Sequence, residues 1–120
     1  MTVAGHRSER IAEEIRNEVG AMLEGELKDP RLAIAMTVNE VRVSPDLKQV
    51  RIFVGVIGTE EEQAKTLQGL DAALGYIRHE LVERLRLRRA PEISFVLDRS
   101  EEYGQRIEDL LRKVKHTEGS

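Results

Sequence analysis

The sequence predicts a single α+β domain with helices packed on one side of a mixed three-stranded sheet, and three observations predict it. The 120 residues have the size of one ordinary domain and leave no room for a second core. Three segments alternate apolar and polar residues at strand spacing, and the stretches around them carry the stripe of amphipathic helices. The elements run helix, strand, strand, long helical stretch, strand, helix, with no internal repeat and no low-complexity linker. Residues 1–120 therefore read as one domain, with short flexible ends at about 1–6 and 116–120.

Each element follows from its own residues. From Ser8 to about Leu27, the residues Ile11, Ile15, Val19, Met22 and Leu23 form one apolar stripe whose opposite face is largely acidic. Gly20 and Gly25 each weaken this helix by roughly 1 kcal/mol relative to alanine. Asp29-Pro30 ends it, because a residue before proline avoids the helical region. Ile34, Met36 and Val38 then alternate as a strand, and the alternation resumes one residue out of phase at Val41 and Val43. That slip predicts a bulge near Asn39-Glu40. Ser44-Pro45-Asp46 supplies a tight turn with proline at its second position. Val50, Ile52, Val54 and Val56 alternate again, so the two strands read as an antiparallel hairpin.

Thr59-Glu60-Glu61-Glu62 has capping-box spacing, in which Thr59 accepts from the backbone of Glu62 and the Glu62 carboxylate reaches back. Leu67, Leu70, Leu74, Ile77, Leu81 and Leu85 then recur at helical spacing straight through Gly75, so the pattern leaves open whether the helix breaks there. On a helical wheel Arg88 falls in the sector of Leu70 and Leu81, so the helix ends before Arg88. Pro91 closes the region, and Ile93, Phe95 and Leu97 form a third strand. A last helix follows, with Ser100 as its cap and Ile107, Leu110, Leu111 and Val114 on one face. A helical crossover between the second and third strands makes them parallel.

Composition narrows the function. Forty per cent apolar residues build a modest core, while 34% charged residues indicate a soluble surface. No run approaches the roughly 18 apolar residues of a membrane span, and the N-terminus lacks the basic and apolar blocks of a secretory signal. A cytoplasmic location is expected. The absence of cysteine excludes disulfides, thiol nucleophiles and thiolate metal sites. The net charge is −3, but it is unevenly spread. Residues 9–29 carry seven acids against three bases, whereas residues 84–91 carry only Arg84, Arg86, Arg88 and Arg89. A molecule charged in this way can turn one basic face to a polyanion and keep an acidic face in water.

Several motifs are decoys. Gly20-x-x-x-x-Gly25 lacks the Lys and Ser or Thr that a phosphate-binding P-loop places directly afterwards. Gly55-Val56-Ile57-Gly58 imitates a backbone-clamping GxxG loop, but it lies at a strand end and reads as strand termination. His6, His79 and His116 are scattered without metal-ligand spacing. Ser44, Ser94 and Ser100 lie outside any nucleophile elbow. The sequence contains no catalytic constellation, metal site or cofactor motif, so no enzyme activity is expected.

Local signatures in a fixed order carry a family resemblance. They are Arg7-x-x-Arg10-Ile11-Ala12, Lys28-Asp29-Pro30-Arg31-Leu32, Val43-Ser44-Pro45-Asp46-Leu47, and Ala73-Leu74-Gly75-Tyr76-Ile77-Arg78 leading to Leu85-Arg86-Leu87-Arg88. Ala90-Pro91-Glu92-Ile93-Ser94-Phe95 and Asp98-x-Ser100 complete the set. Together they resemble the bacterial ribosome-binding factor A family from residue 6 to about residue 112. The resemblance implies a KH-like domain of the second topological type, α-β-β-α-α-β, here followed by the C-terminal helix. It also implies a kink at Ala73-Leu74-Gly75 in place of the GxxG loop, where small residues let backbone approach phosphate.

The function implied is binding to the immature small (30S) ribosomal subunit and its 16S rRNA, assisting late maturation and rRNA processing, with neighbouring ribosomal proteins as secondary contacts. A free monomer is expected. Ala73, Leu74, Gly75, Arg78, Arg84, Arg86, Arg88 and Arg89 are the expected RNA contacts, since guanidinium forks onto phosphate oxygens. Arg7, Arg10, Arg31 and Lys48 are further candidates. The alternatives are a general KH-like RNA binder outside ribosome assembly and a protein-protein adaptor that uses the acidic first helix.

Overall fold

A computed structural model describes residues 3–27, 29–32 and 36–98. Helix α1 spans Val3–Ala21 and runs into one π turn, Met22–Glu26. That turn closes with the Leu27 N–H donating to the Met22 carbonyl at 3.1 Å, five residues back. Helix α1 thus begins five residues before Ser8, while its C-terminal limit lies where Asp29-Pro30 sets it. A 3₁₀ turn at Pro30–Leu32 leads to strand β1, Met36–Val43, and strand β2, Gln49–Val56. Helices α2, Glu60–Ala72, and α3, Leu74–Leu85, precede strand β3, Glu92–Leu97. This is the α-β-β-α-α-β order that the resemblance implied. The expected C-terminal helix, with Ser100 and the stripe from Ile107 to Val114, lies outside the described residues, as does Ile34.

The sheet order is β1-β2-β3. Strands β1 and β2 are antiparallel, with the register slipping between Val38 and Glu40 where the sequence predicts a bulge. Strands β2 and β3 are parallel, as a helical crossover requires. At the hairpin the Leu47 N–H donates to the Ser44 carbonyl at 2.8 Å, and Asp46 accepts from the Ser44 hydroxyl and the Lys48 N–H. The bulge has a further effect. The Asn39 amide donates to Asp98 at 2.9 Å and accepts from the Thr37 hydroxyl, so its side chain passes over Gly55 and ties β1 to the end of β3. A Cβ on Gly55 would come within 2.9 Å of that amide nitrogen, so glycine leaves room for the tie.

One face of the sheet meets all three helices in a single core. Ile15, Val19 and Met22 from the first helical segment, Val50, Ile52 and Val54 from β2, and Leu70, Ile77 and Leu81 from the crossover are almost fully buried. Each such side chain contributes about 1.5–3 kcal/mol relative to exposure. The stripe read through Leu67–Leu85 is therefore the core-facing surface of α2 and α3, except at the half-buried Leu74, where Ala73 packs on the core instead. Helix α2 starts with the expected capping box: the Glu62 N–H donates to Thr59 Oγ1 and the Thr59 N–H to Glu62 Oε1, each at 3.1 Å. Among the described residues no helix is long and apolar enough to cross a membrane.

Candidate nucleic-acid interface

The crossover helix does break, and it breaks at Ala73. This residue has φ −88° and ψ −1°, and its N–H is shared between the carbonyls of Gly69 and Leu70 at 3.1 Å each. Its own carbonyl accepts from the Ile77 N–H at 3.0 Å and so begins α3. Leu74 and Gly75 form the first turn of that helix. Gly75 is exposed, and an added Cβ would meet nothing of the chain within 4 Å. The fold therefore has no packing need for glycine at this position.

Helix α3 has two unlike flanks. On one, Arg84 sits among three carboxylates, at 2.6 Å from Glu26, 3.0 Å from Glu80 and 3.1 Å from Glu18. The Tyr76 hydroxyl also donates to Glu26 at 3.1 Å. The Arg84 hydrogen bond holds the Glu26 carboxyl below the usual range, and these acids raise the already high pKa of Arg84. This network staples α3 to the end of α1, so a phosphate at Arg84 would have to displace three carboxylates.

Away from this network, Arg78 is exposed. It lines a groove of about 420 Å³ together with Gln49, Val50, Arg51, Glu92, Ile93 and Ser94. Strand pairing sets Gln49 beside Glu92 and Arg51 beside Ser94, and the Glu92 N–H donates to the Lys48 carbonyl at 2.8 Å. Lys48 therefore stands where the loop from α3 enters β3. That loop begins at Arg86, which caps α3 in the left-handed conformation, φ 53° and ψ 47°. The Leu87 N–H returns to the Val82 carbonyl at 3.1 Å, a bond typical of such helix ends. Arg88 and Arg89 follow, exposed, in the same loop.

Lys48, Arg51, Arg78, Arg86, Arg88 and Arg89 are all exposed and pair with no acid among the described residues. Arg51 and Arg78 border one groove, Lys48 stands beside the start of β3, and Arg86, Arg88 and Arg89 follow one another in the loop between α3 and β3. Helix α3 has 12 residues and is about 18 Å long, so the Ala73 break and the arginine loop mark opposite ends of an extended surface. Arg7 and Arg10 lie on exposed positions in the N-terminal half of α1. Arg31 has a partner of its own. Its guanidinium and its N–H both donate to Asp29, which holds that carboxyl down at about 2. Gly69 and Thr66 of α2 pack on this turn, the Thr66 hydroxyl donating to the Arg31 carbonyl at 3.3 Å.

Arg51 is the residue that the sequence reading missed. Its signal was available in the alternation of β2, which turns Val50 and Ile52 inward and Arg51 outward. Its cross-strand neighbour Arg42 is engaged by Glu40 at 2.8 Å and lies 5.0 Å over the Phe53 ring, whereas Arg51 has no such partner among the described residues. Among the described residues no group of His, Cys, Asp or Glu is placed to hold a metal ion.

Comparison with known proteins agrees with this architecture. A family model described as ribosome-binding factor A matches residues 7–111. The ribosome-binding factor A of Koribacter versatilis is 52% identical over 109 residues, which cover 91% of this chain and 88% of that protein. The crystal structure of ribosome-binding factor A from Thermus thermophilus is similar with a TM-score of 0.67 at 27% identity, covering 78% of this chain and 98% of that one. A homology model of the Thermus thermophilus factor fitted into the cryo-EM map of its 30S complex has a TM-score of 0.59 at 27% identity, covering 73% of this chain and 91% of that one. The chain belongs to the ribosome-binding factor A family.

Proposed function

We propose that this chain is a cytoplasmic, monomeric, non-catalytic assembly factor. It binds the immature 30S subunit through 16S rRNA and assists late maturation and rRNA processing. The observation that carries the reading is that Lys48, Arg51, Arg78, Arg86, Arg88 and Arg89 are all without an acidic partner among the described residues, in a chain whose net charge is −3. Cations left unpaired beside abundant carboxylates suit phosphate, whose displaced counterions drive binding. The fitted 30S complex of a relative supports the same partner.

In this reading the backbone at Ala73, Leu74 and Gly75 approaches the RNA closely at one end of α3, and the arginine loop grips it at the other. Arg7 and Arg10 extend the contact, and neighbouring ribosomal proteins touch its margin. Arg84 and Arg31 act within the fold, because their guanidinium groups are held by Glu18, Glu26, Glu80 and Asp29. The factor works by preferring one rRNA conformation, and it shifts that equilibrium only by its differential affinity.

Salt titration of binding to isolated 16S rRNA tests the reading. Affinity falls steeply and linearly on logarithmic axes, and each arginine removed from the loop lowers the slope by about one. No binding to the isolated RNA, or an affinity that does not change with salt, rejects the proposal.

A further inference from the structure

Strand β1 is an edge of the sheet: β2 pairs with one side of it, and no described strand pairs with the other. An unpaired edge presents a row of backbone N–H and C=O groups that another strand can take up. The two halves of this edge differ. Beyond the bulge, Glu40 and Arg42 form an ion pair at 2.8 Å, and a bulge followed by charged side chains discourages pairing. Met36, Thr37 and Val38, before the bulge, carry neither charge nor proline.

A groove of about 390 Å³ lies at this uncharged half, with Met36, Thr37 and Val38 contributed by β1 and Gly20, Ala21 and Leu23 by the end of the first helical segment. Met36, Val38 and Leu23 are only half-buried, so the groove keeps apolar surface that a further strand would cover. Gly20 weakens α1, yet its φ is not positive and an added Cβ meets no described residue within 4 Å. The fold itself has no use for glycine there. A backbone lying in the groove does, since a side chain would stand in its way.

We propose that this groove docks an extended, basic segment of a partner protein, which adds to β1 at residues 36–38 as a further strand. A polypeptide offers the alternating donors and acceptors that match a strand edge. Charge selects a basic one. Glu24 lines the groove, and Glu9 and Glu13 lie on the helix face that carries Gly20. The cation beside them, Arg16, is shared with Glu13 at 3.8 Å. This rim repels phosphate, and a second copy of the chain paired symmetrically would set the same acids against each other. The groove shares no residue with the RNA surface proposed above, so the two contacts are separable.

The test is nuclear magnetic resonance of the full, isotope-labelled chain titrated with three ten-residue peptides: alternating lysine and valine, alternating glutamate and valine, and the lysine-valine peptide with every backbone nitrogen methylated. The lysine-valine peptide is expected to shift the amide signals of Met36, Thr37 and Val38 and to slow their hydrogen exchange. It binds at least about 3-fold tighter than the glutamate-valine peptide, as two exposed ion pairs provide. The methylated peptide, which cannot complete the ladder, binds at least about 10-fold more weakly. Gly20→Leu fills the groove and weakens the lysine-valine peptide at least about 10-fold, with a melting temperature equal to or above wild type and an unchanged salt slope of RNA binding. Glu24→Lys weakens the same peptide about 2-fold. No binding of the lysine-valine peptide, equal affinity of either control peptide, or undiminished binding in both variants overturns the docking site while the RNA reading stands. A dimer in analytical ultracentrifugation that Gly20→Leu dissolves assigns the groove to a second copy and likewise overturns it.

Discussion

Replacing Arg86 with glycine separates what this residue does for the fold from what it does for the ligand. Arg86 ends α3 at φ 53° and ψ 47°, a left-handed conformation that costs a residue with a Cβ about 1–2 kcal/mol. Glycine removes that strain but loses about 0.5–1 kcal/mol more backbone entropy on folding. The first effect wins by roughly 0.5–1 kcal/mol. For a chain of 120 residues that raises the unfolding temperature by about 2–6 °C. The side chain makes no ion pair among the described residues that would offset the gain. Arg86→Gly is therefore expected to be more stable by circular-dichroism melting and to bind 16S rRNA less tightly, with a salt slope lower by about one. A lower melting temperature shows that the side chain supports the fold and refutes the strain argument. A higher melting temperature with unchanged slope removes Arg86 from the RNA surface.

Other substitutions give results of a different sign. Arg84→Ala lowers the melting temperature and leaves the salt slope of RNA binding unchanged, because its guanidinium is held by Glu18, Glu26 and Glu80; a reduced slope places it among the phosphate contacts. Arg31→Ala is destabilising in a pH-dependent way. Asp29 is held down at about 2 from 3.8, so the pair's contribution is fully present above about pH 4 and disappears as pH falls to about 2. The difference in melting temperature between wild type and variant closes over that interval, and a gap constant with pH contradicts the pairing. Gly69→Val drives its side chain into Arg31 and Leu32, whose nearest atoms lie 3.1 Å from an added Cβ. It lowers stability by about 1–3 kcal/mol in denaturant unfolding, and an unchanged midpoint shows that the 30–32 turn moves aside freely.

Local chemistry was readable where it was confined to neighbouring residues. The bulge followed from the phase slip after Val38, the capping box from Thr59 and Glu62, and the parallel third strand from the helical crossover. The end of α3 before Arg88 followed from the wheel, since a longer helix would bury that charge. The break at Ala73 was not readable, because its φ and ψ stay near the helical region and Leu70 and Ile77 on either side of it are both fully buried. The π turn was hidden for a similar reason: Met22 and Leu23 keep facing the core, and Gly25 signalled only weak helix propensity.

The roles of individual arginines were the least legible part. Arg84 shares one basic run with Arg86, Arg88 and Arg89, and only folding brings Glu18 and Glu26 to it across 66 and 58 residues of sequence. Arg51 stood alone in a strand, and its relation to Arg78 exists only once α3 packs over the sheet. Charge runs in sequence therefore located the basic run, while pairing in three dimensions set Arg84 apart from Arg86, Arg88 and Arg89.

Sedimentation of cell extract through a density gradient tests the central claim most directly, with wild-type chain compared against the Arg86→Glu, Arg88→Glu double variant. The account predicts that wild-type protein travels with free small subunits and is absent from mature ribosomes, while the variant remains at the top of the gradient with an unchanged melting temperature. Wild-type protein found only as a free species, or a charge-reversed variant that still travels with small subunits, contradicts it.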